Sequence, residues 1–174
     1  MLFGVDFTNP IVGSPAPNSA QSGVSALYSA TLRDPVGKVT GCGFYWREVG
    51  SPTWNTGVSP TVNPIPCENN ADCTVSVNHT FASAGSYETQ FGCTDQATNT
   101  GWGGVTTVQV GSLSVGLGAA PSSGSVNTLF DLIGTVSGTM TGNISYKFDC
   151  TNNGTWELEV NNQTQNPYTA VDLC

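Results

Sequence analysis

The sequence predicts an all-β protein made of two tandem β-sandwiches. Helix signals are nearly absent, because no run of about ten residues spaces its apolar side chains three and four positions apart. Short runs that alternate apolar and polar residues occur instead, separated by Gly, Pro, Asn and Ser. The strand pattern restarts after Gly111, which predicts one unit at residues 1–111 and a second at residues 112–174.

The first unit is predicted to hold about seven strands, the size of an immunoglobulin-like sandwich. GVDFT opens the unit, TTVQV closes it, and the clearest runs between them are VSALYSATL, CGFYW, CTVSVNHTF and YETQFGC. Each run places one set of apolar side chains on one face, as YETQFGC does with Tyr87, Phe91 and Cys93. DPVGK and SAGSY are predicted turns, because Pro, Gly and Ser favour turn dihedrals.

The second unit repeats part of this pattern. NISYKFDC matches the CGFYW strand, WELEV alternates again, and the chain then ends in YTAVDLC. That segment corresponds to the stretch just before TFASAGSY in the first unit. We therefore expect a second sandwich that is incomplete at its C-terminus, with an uncovered apolar face that includes Tyr146 and Phe148. The absent strands would come from a longer polypeptide or from another chain, for which LFGVDFT is the candidate donor.

Charge and composition exclude several classes of function. Charged residues make up 9% of the chain, the net charge is −8, and only four cations are present. Nucleic acid is therefore an unfavourable partner. No apolar run approaches the roughly 20 residues of a membrane helix. Six cysteines beside one histidine favour disulfides in an oxidising compartment over zinc, although zinc is the alternative.

Two segments of the first unit carry a resemblance to a known family. Residues 27–46 and 80–101 resemble bacterial immunoglobulin-like and PKD-type (polycystic-kidney-disease-type) repeats, most specifically in the FASAGSY turn followed by CTDQATNTG. Residues 113–174 resemble a second PKD-type repeat. The best-known PKD motif, WDFGDG, is replaced by YWREVG and FDCTNNG. The resemblance implies tandem extracellular spacer, adhesive or accessory modules, most of which lack catalytic residues.

The cysteine pairing follows from this repeat organisation. In such a sandwich the strands of Cys42 and Cys93 would be neighbours, and both cysteines lie on apolar faces. Cys67 and Cys73 would close a short loop. The remaining pair is Cys150 and Cys174, within the second repeat. Six cysteines allow 15 pairings, and buried free cysteines in a reducing cell are the alternative.

The segment DCTNNGTWE places oxygen donors around a glycine turn, namely Asp149, Asn152, Asn153 and Glu157. No cofactor is expected, although calcium binding is one interpretation of this segment. A β-turn in which Asn153-Gly154 supplies the positive φ is favoured, because Val160 stands where an EF-hand-type loop needs its final glutamate. Two weaker groups of donors are Asp95 with Asn99 and Glu68 with Asp72.

Catalysis is not expected. His79 lies mid-strand between Val77 and Phe81, where a packed structural histidine is favoured over a catalytic one. The motifs GxSxG and HExxH and a Gly-rich phosphate loop are all absent. Four glycosylation sequons occur, at Asn78, Asn143, Asn153 and Asn162.

A few aromatic residues are hard to assign to a core. Trp54 lies in a predicted loop and Trp102 in NTGWGG, and Tyr45 and Trp156 are similar cases. Exposed rings of this kind could stack on sugars, whereas the alternative is that they fold over the ends of the sandwich.

Together these features predict a non-catalytic, extracellular structural or adhesive repeat module of a cell-surface or secreted protein. The alternatives are a glycan-binding accessory module and a strand-exchanging subunit of an extracellular filament. The expected partners are neighbouring repeats or copies of the chain, surface glycans, or other cell-surface proteins. Membrane insertion of this segment is not expected.

Overall fold

The computed structural model describes residues 6–124, 129–139, 144–151 and 153–171, without the side chain of Asn162. Over these residues the chain forms strands and loops and no helix. The strands are β1 Ile11–Val12, β2 Ser19–Gln21, β3 Ser25–Arg33, β4 Val39–Glu48, β5 Asn55–Val58, β6 Thr61–Asn63, β7 Cys73–Thr80, β8 Gly85–Asp95, β9 Thr100–Trp102, β10 Thr106–Gly111, β11 Leu113–Ala120, β12 Asp131–Gly138, β13 Ile144–Phe148, β14 Leu158–Gln163 and β15 Tyr168–Ala170. The chain divides into two units, Met1–Gly111 and Ser112–Cys174, where the strand pattern restarts.

Unit 1 is a sandwich of two sheets. One sheet has the order β1-β3-β7-β6, and the other has the order β2-β10-β8-β4-β5 with β9 also paired to β8. The pairing of β2 with β10 is parallel, and the other pairs are antiparallel. Unit 1 has ten strands over its described residues instead of about seven, and five of them have only two to four residues, which is too short to show a periodic pattern.

The longest strands build the core of unit 1. β4 and β8 pair over nine register positions, which places Phe44 opposite Phe91 and Cys42 opposite Cys93. From the facing sheet, the ring of Tyr28 lies 5.5 Å from that of Phe44. Phe91, Tyr28 and Phe44 are all essentially inaccessible to solvent, as the alternating pattern of their strands predicted. The two sheets therefore share one core that is rich in aromatic side chains.

The start of the chain differs from the prediction. GVDFT was predicted to be a strand, but its described residues, 6–8, lie outside any strand. The carbonyl oxygens of Asp6 and Thr8 instead accept hydrogen bonds from the side-chain amide of Asn99, at 3.2 and 3.5 Å. The segment is therefore attached by hydrogen bonds from a side chain and not by strand pairing. The described part of the candidate donor LFGVDFT is therefore held by unit 1 itself.

Unit 2 is a smaller sandwich, with five strands over its described residues. One sheet has the order β11-β12-β15, and the other pairs β13 with β14. The ring of Tyr146 stacks 5.2 Å from that of Tyr168. Gly134 makes room for this packing, because a Cβ at that position would lie 2.8 Å from the Tyr146 ring.

The apolar face of unit 2 is not where the sequence placed it. Tyr146 and Phe148 are buried, so the prediction that both lie on an uncovered face is wrong. The cause is the closure of the two sheets on each other through Tyr168 and its neighbours. The most exposed apolar side chains of unit 2 include two on β11, where Val115 is 71% and Leu117 is 70% exposed.

We predict that Phe91→Ala lowers the free energy of unfolding of unit 1 by about 3–5 kcal/mol, because it opens a cavity at the centre of the core. The matched control is Phe7→Ala, which removes the same ring from a position that is 83% exposed and should change stability by less than about 0.5 kcal/mol. Urea unfolding followed by tryptophan fluorescence measures both. Equal effects of the two substitutions would contradict the described core.

Candidate functional site

His79 is enclosed by aromatic rings on the inner side of β7. Its ring centroid lies 4.6 Å from Phe81, 5.1 Å from Trp46 and 5.4 Å from Phe44. Its Nε2 atom is buried and has no hydrogen-bond partner among the described residues. Burial lowers the pKa of His79 below its ordinary value, so the neutral imidazole is favoured. His79 is therefore packed among aromatic rings, as the sequence analysis favoured. No carboxylate or hydroxyl of the described residues lies within hydrogen-bond distance of its Nε2 atom.

Two disulfides cross-link unit 1. Cys42 and Cys93 are bonded, with Cα atoms 4.1 Å apart in directly opposite positions of β4 and β8. Cys67 and Cys73 are bonded across a separation of six residues, next to the start of β7. Both are pairs that the repeat organisation suggested. The first joins two neighbouring strands of one sheet, and it does not bridge the two sheets.

The third predicted pair lies partly outside the described residues. Cys150 is disulfide-bonded, but Cys174 is not among the residues that the structure describes. Pairing of Cys150 with Cys174 stays a prediction.

The loop DCTNNGTWE forms a turn closed by its own carboxylates. The Oδ2 atom of Asp149 accepts a hydrogen bond from the Gly154 N–H at 2.8 Å, and Gly154 has a φ of 82°. Glu157 accepts hydrogen bonds from the Cys150 N–H at 2.8 Å and from the Thr151 hydroxyl at 3.0 Å. Asn152 lies outside the described residues. Gly154 therefore supplies the positive φ of the predicted turn, and calcium binding by this loop stays untested.

The two tryptophans proposed for sugar stacking contact different kinds of side chain. Trp102 belongs to β9, is 53% exposed, and has its ring centroid 5.0 Å from that of Tyr45. Gly92 lies beneath it, since a Cβ there would be 2.6 Å from the indole ring. Trp54 instead lies under the guanidinium of Arg47, 4.4 Å from Cζ to the ring centroid. Trp102 therefore packs against the aromatic ring of Tyr45, whereas Trp54 packs against the guanidinium group of Arg47.

Trp156 and the sequon residues Asn78 and Asn153 lie on the surface. Trp156 is 50% exposed, with the Lys147 ammonium 5.7 Å from its ring centroid. Asn78 and Asn153 are exposed. Asn143 and the side chain of Asn162 lie outside the described residues. Use of the sequons stays a prediction.

Three carboxylates come together at one end of unit 1. They belong to Asp6, Asp34 and Asp95, and one oxygen of each lies within 4.8 Å of the others. Asp34 follows β3 and Asp95 ends β8, and the side chains of both are buried. We call these three residues the carboxylate cluster.

Hydrogen bonds orient the carboxylate cluster without using all of its oxygens. Asp34 Oδ1 accepts from the N–H groups of Val36 and Gly37, at 3.2 and 2.9 Å. The two oxygens of Asp95 accept from the backbone and the side chain of Asn99, both at 2.8 Å. The Oδ2 atoms of Asp6 and Asp34 are buried and have no partner among the described residues.

The sequence pointed to only one member of the carboxylate cluster. Asp95 was noted together with Asn99, and Asp149 was ranked above it. Asp6 and Asp34 were not singled out, because their segments are far from residue 95 in the chain. No local sequence pattern links the three residues. The strand pairing does so, since Asp95 lies opposite Val39 at the start of β4 and the DPVGK turn directly precedes that strand.

Comparisons with known proteins give likenesses in overall structure. No protein family and no curated protein matches the sequence. Among solved structures, a mutant form of the SrpA adhesin of Streptococcus sanguinis is similar, with a TM-score of 0.46 and 17% identity over 62% of this chain. The chain spans about 60% of the length of that adhesin chain.

Two smaller domains are also similar. One is the PKD domain of an M14-like peptidase from a Thermoplasmatales archaeon, with a TM-score of 0.38 and 19% identity over 59% of this chain and 97% of the domain. The other is a CARDB domain from Pyrococcus furiosus, solved with di-metal ions, with a TM-score of 0.38 and 14% identity over 60% of this chain and 96% of that chain. At these scores we draw no functional conclusion from the likenesses. Within the described residues, no helix is long and apolar enough to cross a membrane.

We predict that His79 makes the folded protein sensitive to mild acid. Because its pKa is lower when folded than when unfolded, its favourable contribution is complete above about pH 6.5 and is lost as the pH falls towards the folded pKa. Wild type should therefore lose more unfolding free energy between pH 7.5 and pH 5.5 than His79→Phe, measured by urea unfolding. All other titratable groups are common to the two proteins, so the difference between their pH profiles isolates the contribution of His79. Parallel pH profiles of the two proteins would contradict the prediction.

Proposed function

We propose that the chain is a non-catalytic extracellular module that has a structural or adhesive role in a cell-surface or secreted protein. The observation that carries the proposal is the construction of unit 1, in which aromatic rings fill the space between two sheets and two disulfides fasten the strands. The histidine of the chain is used in this packing. These interior contacts stabilise the fold, so any binding of a partner would use the outer surface of unit 1.

The disulfides support an oxidising compartment. Cys42–Cys93 closes a separation of 51 residues and Cys67–Cys73 one of six. Disulfides of this kind persist outside the reducing cytosol. A surface poor in charge and rich in Ser, Thr, Asn and Gly agrees with a secreted spacer more than with an electrostatically guided binding protein.

The charges of the described residues support protein or glycan partners over nucleic acid. Arg47 pairs with Glu88 at 2.6 Å and Lys147 pairs with Glu159 at 3.1 Å, so two of the four cations of the chain are neutralised by carboxylates. The partners we propose are neighbouring repeats, copies of the chain or other surface proteins.

We predict that the disulfides contribute to stability according to the loops they close. Replacing Cys42 and Cys93 by alanine should cost about 4 kcal/mol of unfolding free energy, and replacing Cys67 and Cys73 about 2 kcal/mol. Urea unfolding of the oxidised proteins gives both values. Adding a reductant should destabilise wild type and leave a variant that lacks all the cysteines unchanged. Wild type that is equally stable oxidised and reduced would contradict the stabilising role given to the disulfides.

A glycan-binding module is the second candidate, and the position of Trp102 favours it. The exposed indole lies beside Tyr45, next to a groove lined by Gly43, Gly92 and Thr94. An aromatic face beside polar groups is the arrangement that stacks on a sugar ring. Trp54 is less suited to this role, because the Arg47 guanidinium covers one face of its ring.

A glycan array separates the two candidates. The structural role predicts no glycan whose retention depends on Trp102. The glycan-binding role predicts at least about a tenfold loss of affinity in Trp102→Ala. Trp156→Ala is the matched control, since it removes an indole of similar exposure from unit 2. A glycan retained by wild type and by Trp156→Ala but lost by Trp102→Ala would replace the structural proposal.

A further inference from the structure

We propose that the carboxylate cluster of Asp6, Asp34 and Asp95 is a binding site for a divalent cation, with calcium as the ion that it fits best. The proposal goes beyond the role of the module, because either a structural or a glycan-binding protein could use such a site. It also differs from the loop at Asp149, where the sequence suggested calcium.

The first observation is the convergence of three acidic groups from distant parts of the chain. Asp6 lies in the segment before β1, Asp34 in the turn between β3 and β4, and Asp95 at the end of β8. One oxygen of each lies within 4.8 Å of the others. Like charges this close repel each other, so the ionised arrangement needs a counter-charge.

The second observation is that buried oxygens point into the cluster without partners. Asp34 is 0% exposed, yet its Oδ2 atom receives no hydrogen bond from the described residues, and neither does Oδ2 of Asp6. Their Oδ1 atoms accept backbone N–H groups, which hold each carboxylate in place. A buried carboxylate oxygen without a donor is costly unless a cation or proton satisfies it.

Among the residues that the structure describes, no cationic side chain pairs with the carboxylate cluster. Within the described part of the chain, the ion pairs join Arg47 to Glu88 and Lys147 to Glu159, and neither involves the carboxylate cluster. The donors that do reach the cluster are neutral amides, such as those of Gly37 and Asn99. An external cation would therefore complete the site.

Gly37 forms the wall of the site. A Cβ added to Gly37 would lie 2.5 Å from Oδ2 of Asp6 and 3.0 Å from Oδ2 of Asp34, so both unpartnered oxygens face the same small space. Any side chain here would fill that space. Glycine keeps it open for a ligand of the two carboxylates.

The donor set and its spacing favour calcium. Calcium binds six to eight oxygens at about 2.3–2.6 Å, so two of its ligands can lie up to about 5 Å apart. The spacing of the carboxylate cluster is within this limit. Second lone pairs remain on both oxygens of Asp95, and waters can complete the coordination. Magnesium prefers shorter bonds in a rigid octahedron and more of its own waters.

Occupancy of the site would fasten three segments of unit 1 together. Asp6 belongs to a segment that is otherwise attached through Asn99, which donates to the carbonyl oxygens of Asp6 and Thr8. The ion would add a direct bond from this segment to the ends of β3 and β8. Unit 1 would then be most stable when calcium is present, as it is in extracellular fluids.

Isothermal titration of the full chain with calcium chloride tests the proposal. We expect one ion at this site with a Kd of about 10⁻⁴–10⁻³ M, the range of extracellular modules. Calcium at 10 mM should raise the melting temperature of unit 1 by about 5–15 °C. Magnesium should bind at least about tenfold more weakly, and equal binding of the two ions would contradict the assignment to calcium.

Two variants remove the site in different ways. Asp34→Asn removes a charged ligand but keeps the Oδ1 acceptor of the turn, whereas Gly37→Ala keeps every ligand and fills the space with a methyl group. Each should weaken calcium binding by at least about tenfold. If Asp34→Asn does not fold, as judged by circular dichroism, the calcium affinities of Gly37→Ala and Asp6→Asn test the site instead.

Two matched controls remove the same charge elsewhere. Asp72→Asn changes an exposed residue of unit 1, and Asp149→Asn removes one of the two acidic groups of the DCTNNGTWE turn. Both should bind calcium within about twofold of wild type. Absence of calcium binding by wild type, binding unchanged in Gly37→Ala and Asp6→Asn, or binding lost in Asp149→Asn would each overturn the proposal.

Discussion

The pairing of β4 with β8 is the constraint on which the rest of unit 1 depends. Nine register positions join the two strands, and the register decides which side chains face the core, because a shift of one residue would turn every inner side chain outward. In the observed register Phe44 and Phe91 lie opposite each other in the interior. The Cys42–Cys93 disulfide lies within the same ladder and holds that register covalently.

The same register also arranges the surface of the molecule. On the outer face it places Tyr45 beside the strand that carries Gly92, and Trp102 of β9 lies against both residues. At the end of the ladder it places Val39 opposite Asp95, which brings the turn of Asp34 near the end of β8. The closed core, the aromatic surface and the carboxylate cluster are therefore consequences of one strand pairing.

The sequence predicted the parts of the fold that alternation encodes. The runs through Tyr28, Val75 and Phe91 alternate over enough residues to identify their strands and buried faces, and the structure buries all three side chains. Edge strands of two to four residues carry no such pattern. The carboxylate cluster was missed for a different reason, since its members are separated by 28 and 61 residues in the numbering and meet only after the strands have paired. In unit 2, the burial of Tyr146 depended on Gly134 and Tyr168, whose approach no local pattern reveals.

Native-state hydrogen exchange of the full chain tests most directly whether the β4–β8 ladder is the central constraint. The account predicts that backbone amides in the middle of β4 and β8, around Phe44 and Phe91, exchange only through global unfolding of unit 1 and are its slowest amides. Amides of the edge strands β5 and β6 should exchange faster, through local opening. Slower exchange in β5 or β6 than around Phe44 and Phe91 would contradict the central place given to this pairing.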